Sequence, residues 1–281
     1  MIDKHSVFRC LPHGLERRQV LFFDGIRHCA EIADIAHRRL RTTLTTMALQ
    51  GASDAPDSAL SQRERLIPAA FLDAWAVVDS IYRFRGLVKS YPHHREGPVE
   101  LPGYKQMIEN VCAVRNVADH LNSKIAQVEA HGGAALGTLT WLTFTGGKRF
   151  YMCAVYPGTP TRTKIGISRP RGGSIINGPT DFIELRAANH KVNLSRAMEL
   201  FEQRIRKIEG ELASQFQDAG VAHLGSGSDF FLQLTCEIPD GDGPPSHLPE
   251  EVPDHCGNSV AADEVVEGGT TGPAAQYPRG P

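Results

Sequence analysis

The stretch Gly103–Ala130, GYKQMIENVCAVRNVADHLNSKIAQVEA, decides the fold because its apolar residues recur at three- and four-residue steps. That spacing is typical of one face of an α-helix. The apolar stripe falls within an arc of about 100° on a helical wheel. Its members are Met107, Val111, Val114, Ala118, Leu121, Ile125 and Val128. The sequence therefore predicts a single helix over this range, ended by Gly132-Gly133.

The same helix carries a polar hexapeptide, Arg115-Asn116-Val117-Ala118-Asp119-His120. Asn116 and His120 are four residues apart, so they lie within about 40° of each other on the wheel. Both are predicted on the side opposite the apolar stripe, and Arg115 falls at the boundary between the two faces. The hexapeptide therefore presents polar groups on a surface suited to meeting another helix or another subunit.

Two further long helices are predicted before this one. The first spans Leu15–Met47, and the second begins at Ser58 or Ser61 and continues to Ser90. Pro68 marks either a kink in the second helix or its true start, because proline is well tolerated only in the first turn of a helix. The N-terminal half of the chain is thus predicted to be an antiparallel bundle of long helices.

Residues 132–219 change to a β pattern followed by one helix. Leu136–Thr145 and Lys148–Tyr156 are rich in β-branched and aromatic residues, and Gly146-Gly147 between them predicts a hairpin turn. Further strands are predicted at Thr163–Ser168, Asp181–Arg186 and Lys191–Leu194. A helix with an apolar stripe follows Ser195, a residue type that suits an N-cap. The predicted fold class is α+β, with a small antiparallel β-sheet between the helical bundle and this last helix.

The chain divides into a helical domain (1–131), a sheet plus helix (132–219) and a tail (220–281). From Val221 onward there are ten acidic residues and one basic residue, which leaves a charge of +7 on the preceding part. Eight of the eighteen prolines also lie in the tail. Such a segment cannot bury enough apolar area to offset chain entropy, so we predict disorder there. Phe230–Leu234 is the exception, predicted to be a short docked strand or a partner motif.

The composition is that of a globular protein and argues against membrane, secreted, zinc-binding and disulfide-rich classes. Hydrophobic residues make up 41% and charged residues 22%, close to ordinary globular composition. No apolar run is long enough for a membrane span or a signal peptide. The six cysteines contain no CxxC pair, so neither a structural zinc site nor a disulfide framework is expected. We expect a cytoplasmic protein that uses no metal and no cofactor.

The hexapeptide contains the groups that RNA cleavage by a 2′-hydroxyl requires. His120 suits proton transfer near neutral pH, and Arg115 supplies a permanent charge with forked donors for phosphate oxygens. Asn116 can orient the imidazole or hold a phosphate, and Asp119 can hold Arg115 by an ion pair. One chain supplies one such histidine, so a proton acceptor and a proton donor together call for a homodimer.

This pattern resembles the HEPN superfamily, in which an arginine, a polar residue and then a histidine lie on a late helix of a helical domain. Arg115-Asn116-x-x-x-His120 is the only match to that spacing in the chain, and the resemblance covers roughly residues 15–130. It implies a metal-independent endoribonuclease whose two copies of the motif face each other at a dimer interface, or an RNA-binding protein that acts as a homodimer without cleaving. The order of the later segments also resembles a group of uncharacterised bacterial proteins, which implies no function.

Two alternatives remain open at this level. The hexapeptide can instead form a surface Arg115–Asp119 ion pair, worth little energetically, with His120 hydrogen-bonded to Asn116. The protein is then a non-catalytic helical scaffold that recruits a protein partner through its sheet or acidic tail. Separately, the loop Ser168–Gly173 is either a solvated turn or a contact for an RNA backbone. The basic residues of that second interpretation are Lys164, Arg169, Arg171 and Arg186.

Overall fold

The computed structural model describes residues 1–12, 14–50, 57–91 (side chains of α2 from 64), 101–146, 149–158, 178–218, 229 and 232–233. Residues Met1–Asp229 form one compact unit. Its elements are α1 (Arg17–Gln50), α2 (Asp57–Ser90), α3 (Tyr104–Asp119), α4 (Leu121–Ala130), β1 (Thr138–Gly146), β2 (Arg149–Val155), β3 (Thr180–Ala187), β4 (His190–Asn193) and α5 (Leu194–Asp218). The fold is α+β, as predicted. None of the described helices is long and apolar enough to cross a membrane.

Helices α1 and α2 pack side by side in opposite directions. Arg39 of α1 pairs with Asp73 of α2 at 3.3 Å, and nearer the start of α1 Gly25 faces Leu87. A Cβ at Gly25 would lie only 2.9 Å from a methyl carbon of Leu87. Both helices bury alanines, which bring helix axes closer together than larger side chains do. These are Ala30, Ala33, Ala36, Ala70 and Ala74.

Helix α5 packs against this pair through aromatic contacts. Phe201 meets Phe84 of α2 edge-on with the ring centroids 4.8 Å apart, and Phe216 meets Phe23 of α1 at 6.3 Å. T-shaped pairs of this kind stabilise a core beyond the area they bury. The predicted apolar stripe of α5 is buried as expected: Met198, Phe201, Ile205, Ile208 and Leu212.

The four strands form an antiparallel sheet in the order β2-β1-β3-β4. Leu139 pairs with Val155 on one side and with Leu185 on the other, and Leu185 pairs with Val192. This row of buried side chains crosses the whole sheet and belongs to the same hydrophobic core as the helices. The predicted β1–β2 hairpin is confirmed, and the sheet and the helices stabilise one another through a shared core.

A bulge in β3 connects the sheet to α5. Phe182 has a φ of 54°, in the left-handed region, and the register between β1 and β3 shifts at this point. The N–H of Phe182 donates to Oδ1 of Asp181 at 2.7 Å. The N–H of Ile183 donates to the buried Oγ of Ser195 at 3.1 Å. Side chains therefore satisfy two backbone donors that a bulge takes out of the ladder.

α5 starts close to the predicted position, near Ser195, but its N-cap differs from the prediction. The helix begins at Leu194, before Ser195, so Ser195 is not its N-cap. Instead Oδ1 of Asn193 accepts the N–H of Arg196 at 2.8 Å. A sequence pattern identifies a serine suited to capping, but not the competing donor in β3 that engages its hydroxyl.

The prediction of one helix over Gly103–Ala130 is wrong at a single residue. α3 ends at Asp119 and α4 begins at Leu121, with His120 between them. Ile125, assigned to the buried stripe, is 54% exposed, because the periodicity of α3 does not continue through the break. The break also raises the number of helices before the sheet from three to four.

Two smaller predictions also need correction. α2 begins before both Ser58 and Ser61 and runs through Pro68, so neither serine caps the helix and the proline does not start it. Gly146 pairs with Arg149 and therefore belongs to β1 rather than to the hairpin turn.

Some predictions lie outside the described residues, namely the strand Thr163–Ser168 and the basic loop Ser168–Gly173. The predicted disorder of the tail lies outside them as well, because only Asp229, Leu232 and Gln233 of residues 220–281 are described. Leu232 and Gln233 belong to a second unit, Phe230–Pro281. Leu232 is 62% exposed.

We expect Ser195→Ala to lower the free energy of unfolding by about 1–3 kcal/mol, because it leaves the buried N–H of Ile183 without an acceptor. Urea unfolding followed by circular dichroism measures this. Ser214→Ala is the matched control, since it makes the same change at an exposed position of the same helix. Equal unfolding midpoints for the two variants would contradict the assigned role of Ser195.

Candidate functional site

His120 is the residue at which α3 ends and α4 begins. Its N–H donates to the carbonyl of Asn116 at 3.3 Å, and its own carbonyl accepts the N–H groups of Ser123 and Lys124 at 3.0 and 2.9 Å. Oγ of Ser123 donates to the same carbonyl at 3.0 Å. His120 therefore closes one helix and opens the next through its main chain, and its imidazole takes no part in the break.

The side chains of Asn116 and His120 are both exposed, as the helical wheel predicts. Neither side chain has a hydrogen-bond partner among the residues that the structure describes. The bond between them that the scaffold interpretation expects is therefore not formed, and only the main-chain contact joins the two residues. The imidazole is left accessible for proton transfer or for contact with a second molecule.

Arg115 is held in place by two carboxylates and an aromatic ring. Its Nε donates to Oδ1 of Asp79 on α2 at 3.0 Å, and its Nη1 donates to Oδ2 of Asp119 at 2.5 Å. The guanidinium carbon lies 4.1 Å from the ring centroid of Tyr82, within cation–π range. The predicted Arg115–Asp119 ion pair is confirmed, and the guanidinium has a defined orientation.

Charges of alternating sign surround Arg115. Asp79 also accepts from Nε of Arg83 at 2.5 Å. Four charged side chains are therefore joined one to the next, in the order Arg83, Asp79, Arg115 and Asp119. A phosphate that approaches Arg115 must compete with these carboxylates. Asp119 is the more exposed of the two, at 43% against 35% for Asp79. Asp119 is therefore the carboxylate that an incoming anion displaces at the lower cost.

Sequence analysis missed Asp79 and Tyr82. The spacing of Asp79 and Arg83 indicates an ion pair along α2, which the structure contains. Nothing in the sequence indicates that this face of α2 meets Arg115. Such a contact depends on the rotation and offset of two helices, which periodicity within each helix does not determine.

Of the other candidate RNA contacts, only Arg186 belongs to the residues that the structure describes. Arg186 lies on β3 and donates to Oε1 of Glu184 at 3.0 Å, while Lys191 donates to Oε2 of the same carboxylate at 3.1 Å. The carboxylate is nearly buried, with its side chain 6% exposed. No described hydrogen bond joins Arg186 to Arg115 or to its partners. Three candidates are outside the described residues: Lys164, Arg169 and Arg171.

One other histidine has an unusual environment. Burial, reinforced by the charge of Arg41, lowers the pKa of His37 on α1 to about 4. Its imidazole is therefore neutral at pH 7, and its buried Nε2 has no hydrogen-bond partner in the described part of the chain. No three His, Cys, Asp or Glu side chains of the described ranges are grouped so that they could hold a metal ion.

Comparison of the chain with protein-family models, with curated proteins and with solved structures gave no match. The resemblance to the HEPN superfamily therefore stays a prediction. It rests on the spacing of Arg115, Asn116 and His120 and on their place in the helical part of the fold.

We expect Arg115→Lys to lower the free energy of unfolding by about 1–2 kcal/mol. An ammonium group cannot donate to Asp79 and Asp119 in the same fork geometry, and it loses the planar contact with Tyr82. Chemical denaturation measures the loss. Arg83→Lys is the control, because Arg83 is 68% exposed and should contribute less than about 0.5 kcal/mol. Equal losses in the two variants would show that Arg115 is an ordinary surface arginine.

Proposed function

We propose that this protein acts on RNA as a homodimer, as a metal-independent endoribonuclease with His120 as the proton-transfer residue. The observation that carries the proposal is the pairing of an exposed, unpartnered imidazole with a nearby guanidinium of fixed orientation. An exposed imidazole is accessible to a substrate and to a second subunit. Here the described contacts use only the main chain of His120.

The arrangement around Arg115 supports a role in phosphate binding. Arginine recognises phosphate best when its planar fork is already oriented, because less side-chain freedom is lost on binding. Asp79 and Tyr82 supply that orientation from α2. On this proposal a phosphate replaces Asp119, while Asp79 keeps the guanidinium aimed. Asn116, exposed beside His120, donates an amide N–H to another phosphate oxygen.

The chemistry requires a proton acceptor and a proton donor. The 2′-oxygen of a ribose attacks the adjacent phosphorus, and its proton passes to one imidazole. The bond from phosphorus to the 5′-oxygen breaks, and that oxygen takes a proton from a second imidazole. The products are a 2′,3′-cyclic phosphate and a 5′-hydroxyl. Two copies of His120 would supply both roles, so the two Asn116–His120 surfaces should face one another.

We also propose that the protein is cytoplasmic. A cytoplasmic protein encounters RNA and keeps its thiols reduced. Cys10, Cys29, Cys112 and Cys153 are free among the described cysteines.

The direct test is cleavage of labelled single-stranded RNA by the purified full chain in excess EDTA. We expect wild-type protein to cleave and His120→Ala to be slower by a factor of about 100 or more, as is typical for loss of a general acid–base group. Because His120 shapes the helix break through its main chain, the variant should fold normally by circular dichroism.

His131→Ala is the matched control, since His131 is an exposed histidine just beyond the end of α4. It should cleave like wild type. Equal rates in all three proteins would assign the activity to a contaminant. Absence of cleavage across RNAs of varied sequence and structure would exclude the enzyme and leave RNA binding as the remaining claim.

We further expect Asn116→Arg to weaken self-association at least tenfold in sedimentation velocity at micromolar concentrations. Two symmetry-related surfaces that face each other would bring two new cations together, and like charges across an interface are costly. Gln106→Arg is the control, because it introduces the same cation in place of an amide at another exposed position of α3. It should leave the dimer intact. A monomeric wild-type protein would rule out a site composed of two chains.

A non-catalytic scaffold is the second candidate. The observation in its favour is that β2 exposes three consecutive large apolar side chains by about 40% each: Phe150, Tyr151 and Met152. Successive side chains of a strand alternate between faces, so Phe150 and Met152 share one face and Tyr151 lies on the other. β2 is an edge strand, and exposed apolar side chains along a sheet edge are typical of surfaces that pair with another protein. If the protein neither cleaves nor binds RNA yet dimerises, the scaffold becomes the better description.

A further inference from the structure

Arg27 on α1 is a cation in an almost fully buried position. Its side chain is 3% exposed, although arginine is rarely buried without a partner. Two carboxylates of the same helix are near it, and Nη1 of Arg27 donates to Oε2 of one of them, Glu31. Glu31 lies 3.4 Å away and Asp24 lies 3.6 Å away. Nε of Arg27 is buried without a hydrogen-bond partner among the described residues.

The best counter-ion of Arg27 comes from the far end of the chain. Nη2 and Nη1 donate to the two carboxylate oxygens of Asp229 at 2.5 and 3.3 Å, which is a two-pronged arginine–carboxylate contact. The guanidinium holds the pKa of the Asp229 carboxyl below its usual range. Asp229 itself remains 61% exposed, so its carboxylate enters from the solvent side.

The surroundings of Arg27 favour an anion. Nε2 of His28 lies 3.4 Å from Oδ1 of Asp229, and Arg9 adds positive potential at the carboxylate. Glu31 is shared between Arg27 and Arg9, and with Arg9 it forms a close ion pair. The buried guanidinium is therefore bordered by Arg9, by the imidazole of His28 and by the carboxylates of Asp24 and Glu31. It takes one further carboxylate, that of Asp229, from outside the helix.

Asp229 follows the end of α5 closely in sequence. α5 ends at Asp218, and Phe216 in its last turn contacts Phe23, one helical turn before Arg27. Ten residues separate the end of α5 from Asp229. A competing group on the same chain, joined through a short linker, has in general an effective concentration on the order of millimolar. The contact in cis is therefore favoured but can be exchanged for a ligand of moderate affinity.

We propose that Arg27, with Arg9 and His28, forms a carboxylate-binding site for an acidic peptide segment, and that Asp229 fills this site in the resting chain. The natural ligand is an aspartate- or glutamate-bearing segment of another protein, which must displace Asp229 to bind. The site lies on α1 and on the segment that precedes it, and it is independent of the RNA chemistry proposed for α3.

The test uses the full chain and a fluorescein-labelled peptide of residues 226–235, SGSDFFLQLT, in an anisotropy titration. Asp229→Asn removes the competing carboxylate and should bind this peptide about tenfold more tightly than wild type, because the millimolar competitor is lost. Asp218→Asn is the matched control. It removes the same charge from an exposed residue at the end of α5 and should bind as weakly as wild type.

A second peptide, with asparagine in place of the aspartate, should not bind the Asp229→Asn protein measurably. Asp229→Glu keeps a carboxylate in cis and should bind the aspartate peptide about as weakly as wild type. If Asp229→Asn fails to fold, Asp229→Glu is used in its place. A tenfold higher affinity of Asp229→Glu than of wild type for the aspartate peptide would overturn the proposal. Equal affinity of Asp229→Asn and wild type would overturn it too. Equal affinity of Asp229→Asn for the two peptides would also refute a carboxylate site. So would a higher affinity of Asp229→Asn than of wild type for polyuridylate, used as an RNA probe, without a higher affinity for the aspartate peptide.

Discussion

The antiparallel packing of α1 on α2 is the constraint on which the rest of the structure depends. Alanines and Gly25 bring α1 and α2 close together. The aromatic side chains of the two helices therefore lie beside this contact, where α5 packs against them. Phe23 and Phe84 receive the aromatic rings of α5, and α5 in turn engages the bulge of β3 through Ser195. A larger residue at Gly25 would meet the methyl groups of Leu87, whose side chain would have to move.

Most of the fold could be predicted because its elements carry strong periodic signals. The stripes of α1, α2 and α5, the β1–β2 hairpin and strand β3 all appear where residue spacing indicates them. The misses share a different cause. The N-cap of α5 and the break at His120 depend on individual hydrogen bonds that no periodic pattern indicates. Ser195 illustrates this, since its hydroxyl satisfies a strand that is adjacent only in the folded protein.

The candidate site was predictable in part for the same reason. Local spacing gave the exposure of Asn116 and His120 and the ion pair of Arg115 with Asp119. The contributions of Asp79 and Tyr82 could not be predicted, because they come from a helix more than thirty residues away in sequence. Arg27 is a similar case. Its spacing to Glu31 suggests an ordinary pair within α1, whereas its principal partner is Asp229, about two hundred residues further on.

The way in which His120 occupies the helix break has an evolutionary consequence. Its amide and carbonyl make every contact that the junction needs, and any residue other than proline carries both groups. Selection for folding alone would therefore let this position drift freely. In related chains that keep the break, a histidine retained here would record selection on the imidazole itself. Its replacement at an unchanged junction would instead mark lineages that have given up whatever the imidazole does.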